Sequence, residues 1–150
     1  MSIIQTMAPP ELEPIGLHLA RTAKAVSRAF ADELTAAGGS LATWLILVSL
    51  KNSSHAAQRD LAGAVGIEGP TLTHHLNRME TDGLVIRRRD PANRRVHRVE
   101  LTDAGEAAFT GLLQTVIAFD ARLRSGFDDA DLVALQGFLD RLHASVSGGT

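Results

Sequence analysis

The feature that most restricts how this chain can fold is a change of period at Gly83. Before it, apolar residues recur at helical spacing. After it, Leu84-Val85-Ile86 and Val96-His97-Arg98-Val99-Glu100-Leu101 read as short strands around the polar turn Asp90-Pro91-Ala92-Asn93. A β-hairpin is expected there. Into twelve positions it places Arg87, Arg88, Arg89, Arg94, Arg95 and Arg98, with Asp90 as the one carboxylate among them. So dense a set of guanidinium groups repels itself, a cost that makes most sense where phosphate or a narrow, negative minor groove supplies the counter-charge. A merely solvated charged hairpin is the plainer alternative. Asp90, which opens the turn, is expected to hold Arg94 so that its guanidinium points beyond the tip.

Two short helices separated by a tight turn precede the hairpin. One spans Gln58 to Val65 and closes at Gly66; the other runs from about Gly69 to Thr81 and closes at Gly83. In the second, Leu72, Leu76 and Met79 fall on the inward face, whereas Thr71, His74, His75 and Arg78 fall outward with Thr73 at the edge. Glu68 and Pro70 suit its first turn. One face holding the domain and the other presenting polar groups is what a helix needs to enter a major groove, about 12 Å wide. Hydroxyls of Thr71 and Thr73 and ring nitrogens of His74 and His75 can meet base edges or phosphates, and Arg78 can meet a phosphate or a guanine. An ordinary amphipathic surface helix would carry the same pattern; the arginine-rich hairpin beside it favours a reader of DNA.

The flanks are helical. Ile15, Leu19, Ala23, Val26, Phe30 and Leu34 form a stripe after Pro14 that Gly38-Gly39 stops, and Ser40 can cap a second helix carrying Trp44, Leu45, Leu47 and Val48. Beyond the hairpin, Thr102 or Asp103 caps a helix with the stripe Leu112, Val116, Phe119 and Leu123. Asp128 opens a last helix with Leu132, Leu135, Leu139, Leu142 and Val146. The fold class expected is mainly α with a small β-hairpin wing: one domain over 1–150, a winged helix-turn-helix over 40–101, and a dimerisation region from 11–37 and 102–147. The terminal helices present more apolar surface than a small winged domain requires, so they are expected to pair with a second copy. Packing within one chain is the alternative.

Charge follows the same division. Although the 150 residues carry a net charge of −2, the span from Lys51 to Arg98 holds nine Lys or Arg against five Asp or Glu, and the remainder six against twelve. A positive middle can meet phosphate while acidic flanks limit non-specific adhesion. With no Cys, thiolate zinc sites, disulfides and cysteine nucleophiles are excluded. The opening residues show no export signal and no run is long and apolar enough to span a bilayer, which makes the cytoplasm the expected location and a membrane an unexpected partner.

The segment LAGAVGIEGPTLTHHLNRMETDGLVIRRRDPANRRVHRVELTDAG, residues 61–105, resembles the helix-turn-helix, wing and following helix start of the MarR-type winged-helix transcriptional regulators, and the likeness extends over nearly the whole chain. The resemblance implies a homodimer joined by its terminal helices, with recognition helices in successive major grooves of a palindromic operator on double-stranded DNA and wings in the flanking minor grooves. Two positions depart from the pattern: His74 stands where such regulators often have Arg, and Asn93 where the wing often has a second Asp. The resemblance also implies release of DNA when a small, often aromatic acid enters a crevice between the dimerisation helices and the winged region. His18, Arg21 and Trp44 are the candidates for such an effector by position and chemistry, with a core role for Trp44 and a solvated one for Arg21 as the alternatives.

His74 and His75 point about 100° apart on a helix and the other His are scattered, so no metal site is expected. No phosphate-cradling glycine loop, HExxH or nucleophile elbow is present, so neither a cofactor nor catalysis is expected. The reading is a ligand-responsive repressor. Its alternatives are a helical protein–protein interaction module whose basic hairpin binds an acidic partner and, more remotely, a small enzyme using His and Asp.

Overall fold

The computed structural model describes residues 13–53 and 56–148. The first long helix, α1 (Ile15–Ala36), follows Pro14 and ends where Gly38 turns the chain. Ser40 then caps α2 (Leu41–Asn52) by accepting a hydrogen bond from the Thr43 amide. A two-residue strand β1 (Ala56–Ala57) leads into α3 (Gln58–Val65), and Gly66, at a φ of 73°, supplies the left-handed residue that ends it. Next come α4 (Gly69–Thr81), β2 (Val85–Arg89) and β3 (His97–Leu101), then α5 (Asp103–Arg124) and α6 (Asp129–Ser147).

The hairpin expected over 84–101 is present, with β2 and β3 antiparallel and Arg87 opposite Val99, Arg88 opposite Arg98 and Arg89 opposite His97. The sequence reading missed β1, which adds to the other edge of β3 and makes a three-stranded sheet in the order β1-β3-β2. Two alanines carry no alternating pattern, so only pairing with β3 defines that strand.

Apolar residues from the three helices and both hairpin strands of the winged part meet in one core with Leu34 of α1 and Leu112 of α5. Leu34 of α1, Ile46 and Leu47 of α2, Leu61 of α3, Leu72 and Leu76 of α4, Val85 of β2 and Val99 of β3 are all fully buried. Leu72, Leu76 and Met79 face inward as their spacing predicts, which fixes the opposite side of α4 as the solvent face. Two aromatic stacks fasten α5 to this core. Trp44 lies nearly parallel to Phe109 at 5.4 Å, and Phe30 of α1 stacks on Phe119 at 5.2 Å. At the start of α5, Thr102 caps the Gly105 amide, and Gly105 sits so close to the Leu84 carbonyl that a side chain there would collide with backbone.

The last helix is different. Asp128 and Asp131 form a reciprocal capping box at its start, yet no residue of α6 is buried, and Val133, Phe138 and Val146 are 70%, 55% and 81% exposed. Among the described residues no single helix is long and apolar enough to cross a membrane.

Candidate nucleic-acid interface

The recognition helix begins at Gly69, with Glu68 as its N-cap residue and Pro70 in its first turn, where a missing amide proton costs nothing. Thr71, His74 and Arg78 are exposed on its outer side. The rings of His74 and His75 meet edge to face at 5.8 Å, and His75 is half-buried against a cleft of about 270 Å³ that Ser40, Arg78 and Asp82 also line. Thr73 is already engaged. Its hydroxyl donates to the Gly69 carbonyl at 3.0 Å and accepts from Gln58 Nε2 at 2.9 Å, tying α3 to α4.

The six wing arginines fall into two groups. Arg87 is bound by Asn77 and Glu80 of α4, Arg88 pairs with Glu100 at 3.5 Å, and Arg98 donates through Nε to Asp90 at 2.8 Å. Arg89, Arg94 and Arg95 have no ion pair among the described residues. These three lie at the end of β2 and in the turn. Sequence counting saw Asp90 as the sole opposing charge because Glu80 and Glu100 lie outside the arginine cluster in the chain and reach it through the fold.

One expectation is corrected. Asp90 braces Arg98, not Arg94. The carboxylate accepts from the Ala92 amide at 2.8 Å through Oδ1 and from Arg98 through Oδ2, because the strand register returns Arg98 to the base of the turn while Arg94 lies beyond it. Asp90 is 9% exposed, and the Ala92 amide, then Arg98, hold its carboxyl below the ordinary value of 3.8. Asn93 keeps the turn closed: its side-chain oxygen accepts from the Arg95 amide at 3.2 Å, and its carbonyl from Val96 at 2.9 Å.

Between α4 and β3 runs a cleft of about 330 Å³ whose polar lining is Gln58, Arg59, Thr73, Arg95 and His97, with no carboxylate among the described residues. Recognition helix, cleft and wing tip therefore form one surface of hydroxyls, imidazoles and guanidinium groups. It can accept phosphates along its length and base edges at the helix. Gln58, Arg59 and His97 join it through the fold, and no pattern in the sequence singled them out.

The effector candidates are not gathered into one site. Trp44 is buried with a ring face covered by Phe109, whereas His18 and Arg21 are exposed on α1, with Arg21 paired to Glu13 at 2.5 Å. Among the described residues no group of three or more His, Cys, Asp or Glu could hold a metal ion, and His55 lies outside them.

Helix-turn-helix, three-stranded sheet and basic wing define the chain as a winged-helix protein. Residues 40–97 match the sequence model of the MarR family. A Thauera aromatica protein described as a candidate transcriptional regulatory protein for the hcr operon is 28% identical over 130 residues, 86% of this chain and 78% of that one. Among solved structures, the transcriptional repressor CouR bound to a 23-mer DNA duplex is similar at a TM-score of 0.79 and 27% identity, over 91% of this chain and 98% of that one. The apo form of MarR from E. coli shares the fold at a TM-score of 0.75 and 21% identity, over 88% of this chain and 98% of the other. Over its winged part the chain matches the MarR family, and along most of its length it is similar to transcriptional regulators of that type.

Proposed function

We propose that the chain is a homodimeric, sequence-specific repressor that occupies a palindromic operator on duplex DNA and is released by a small aromatic or acidic effector. The observation that carries the DNA reading is the division of the wing. Three arginines are spent on internal ion pairs, whereas Arg89, Arg94 and Arg95 at the tip have none among the described residues, and Arg95 lines the cleft beside Gly69 and Thr73 of α4. Unpaired guanidinium groups crowded at a wing tip gain most from phosphate or the minor groove.

Dimerisation is supported by α6, where among the described residues none is buried and Val133, Leu135, Phe138, Leu139 and Val146 are exposed, and by exposed Ile15 and Leu17 on α1 and Ile117 and Phe127 near the end of α5. So many large apolar side chains exposed on the terminal helices are uncommon on a monomer. A two-fold pair would set the recognition helices one helical turn of DNA apart, about 34–36 Å. An effector that binds more tightly to a dimer with the wrong separation lowers operator affinity by that difference in free energy. Solved relatives support both halves of the reading. One is CouR on its duplex; another is BpsR of Bordetella bronchiseptica, whose DNA binding is described as regulated by 6-hydroxynicotinic acid. No enzymatic role is part of the reading, and the location it implies is the cytoplasm.

Selection from a pool of random duplexes, followed by binding of the recovered sequence against salt, tests the reading. The expected result is a palindromic consensus with affinity falling steeply as salt rises. Recovery of no preferred sequence would instead favour a basic hairpin that docks on an acidic protein.

A further inference from the structure

Arg87 was expected to touch DNA with the rest of the wing, yet its surroundings are those of a fastening. Its side chain is 20% exposed, the least of the three paired wing arginines. Glu80 Oε2 accepts from the Arg87 backbone amide at 3.1 Å and from Nε at 3.3 Å, while Nη2 donates to Glu80 Oε1 at 3.1 Å and to Asn77 Oδ1 at 2.6 Å. Asn77 and Glu80 are one turn apart on the same side of α4, so the fork of one guanidinium spans both. Strand and side chain are thus both tied to the last turns of the recognition helix. Their covalent connection is the short turn Asp82-Gly83-Leu84.

We infer that Asn77 and Glu80 hold Arg87 as a strut fixing the wing to the recognition helix, so that Glu80 raises operator affinity and Arg87 is a positioning residue, not a phosphate contact. The inference rests on the reading of this surface as a DNA interface. A reader that must seat a helix in one groove and a wing in the next loses less on binding if the two are already held at the right spacing. A strut of this kind also explains a carboxylate on a surface otherwise arranged for phosphate, since the arginine that Glu80 orients neutralises it. The arrangement requires a planar fork with several donors, which lysine lacks.

The two roles make opposite predictions for Glu80. If Arg87 were a phosphate contact held back by Glu80, removing the carboxylate would free a cation and tighten binding. As a strut partner, Glu80 cannot be lost without weakening it. The test uses the full chain and the duplex recovered by selection, with fluorescence anisotropy over a range of salt and circular dichroism to confirm the fold. Glu80→Ala and Arg87→Ala are each expected to weaken binding on the order of tenfold, and the double variant no further than Arg87→Ala alone. The slope of affinity against salt should be unchanged in all three, and Arg87→Lys should bind as poorly as Arg87→Ala. Tighter binding by Glu80→Ala overturns the inference, as does unchanged affinity in both alanine variants. So does a salt slope lowered by about one in Arg87→Ala and restored by Arg87→Lys. Failure of the wild-type chain to bind any duplex in a salt-dependent way would instead remove the DNA reading itself.

Discussion

The winged part and the last helix bury their apolar residues in opposite ways. From Ser40 to Leu101, leucines and valines on five elements are enclosed completely by their own chain, whereas in α6 no residue is buried and only Leu132 and Leu142 of its stripe are half-covered. The first region, closed by Leu34 of α1 and by Phe109 and Leu112 of α5, has its apolar residues covered and turns a polar outer side to solvent. The second, on the proposed dimer, is half of a packing arrangement. On the proposed function, the contrast lets one chain carry a reading surface and an assembly surface without either distorting the other: the two are built from different helices and share little packing.

The strongest way to break the comparison is to charge the unfinished region. With Leu135 and Leu139 both changed to Asp, the chain is expected to sediment as a monomer and bind its duplex roughly a hundredfold or more weakly, because two half-sites no longer act together. Its winged part should still melt cooperatively. A variant that remains dimeric would place the interface elsewhere. The complementary change lies in the finished region: Leu76→Ala should cost about 2–5 kcal/mol of stability by urea unfolding, since the cavity it leaves is walled by fully buried neighbours. A cost well under 1 kcal/mol would mean that the core collapses around the gap and is less closely packed than its burial indicates.

Within the reading surface, the comparison sharpens to paired against unpaired arginines. Arg94→Ala should weaken duplex binding about tenfold and lower the salt slope by about one without altering the melting temperature, as expected of a lost phosphate or minor-groove contact. Arg88→Ala, which removes a partner of Glu100 on a solvated strand face, should change affinity less. Equal losses for the two would dissolve the division between structural and DNA-facing arginines.

Much of this was legible in the sequence because the signals are local. Helical spacing located Leu72, Leu76 and Met79, turn residues located the hairpin, and Ser40, Thr102 and Asp128 cap the helices they precede. What escaped depends on residues brought together from a distance. Glu80 is seven positions from Arg87, and strand register, which no single residue encodes, decides that Asp90 meets Arg98 and not Arg94. Thr73 read as a possible DNA contact because its position is outward at the edge of α4, while the side chain that occupies its hydroxyl comes from α3. The strand Ala56–Ala57 has no signature of its own. Pairings across elements are therefore where sequence reasoning about this surface stops, and they decide which arginines are available.

The smallest effect expected is on pH, and its sign follows from Asp90. The hydrogen bond from Ala92 and the contact with Arg98 favour the charged carboxylate, so its pKa in the folded wing lies below the unfolded value. A group shifted in this direction contributes its full stabilisation above the unfolded pKa of 3.8 and loses it as pH falls through the lower folded value. The wing turn should therefore hold unchanged between about pH 5 and 8 and loosen only in stronger acid. The amide of Ala92, which donates directly to the carboxylate, is the local probe. Its NMR shift should titrate below the ordinary aspartate range, and Asp90→Asn should abolish that transition while changing duplex affinity at neutral pH only slightly, since the amide oxygen can still accept from Ala92. A titration at the ordinary aspartate value would show that the brace adds nothing to the wing. The availability of Arg94 and Arg95 would then depend on Asn93 and on the backbone bond from the Asp90 amide to the Val96 carbonyl.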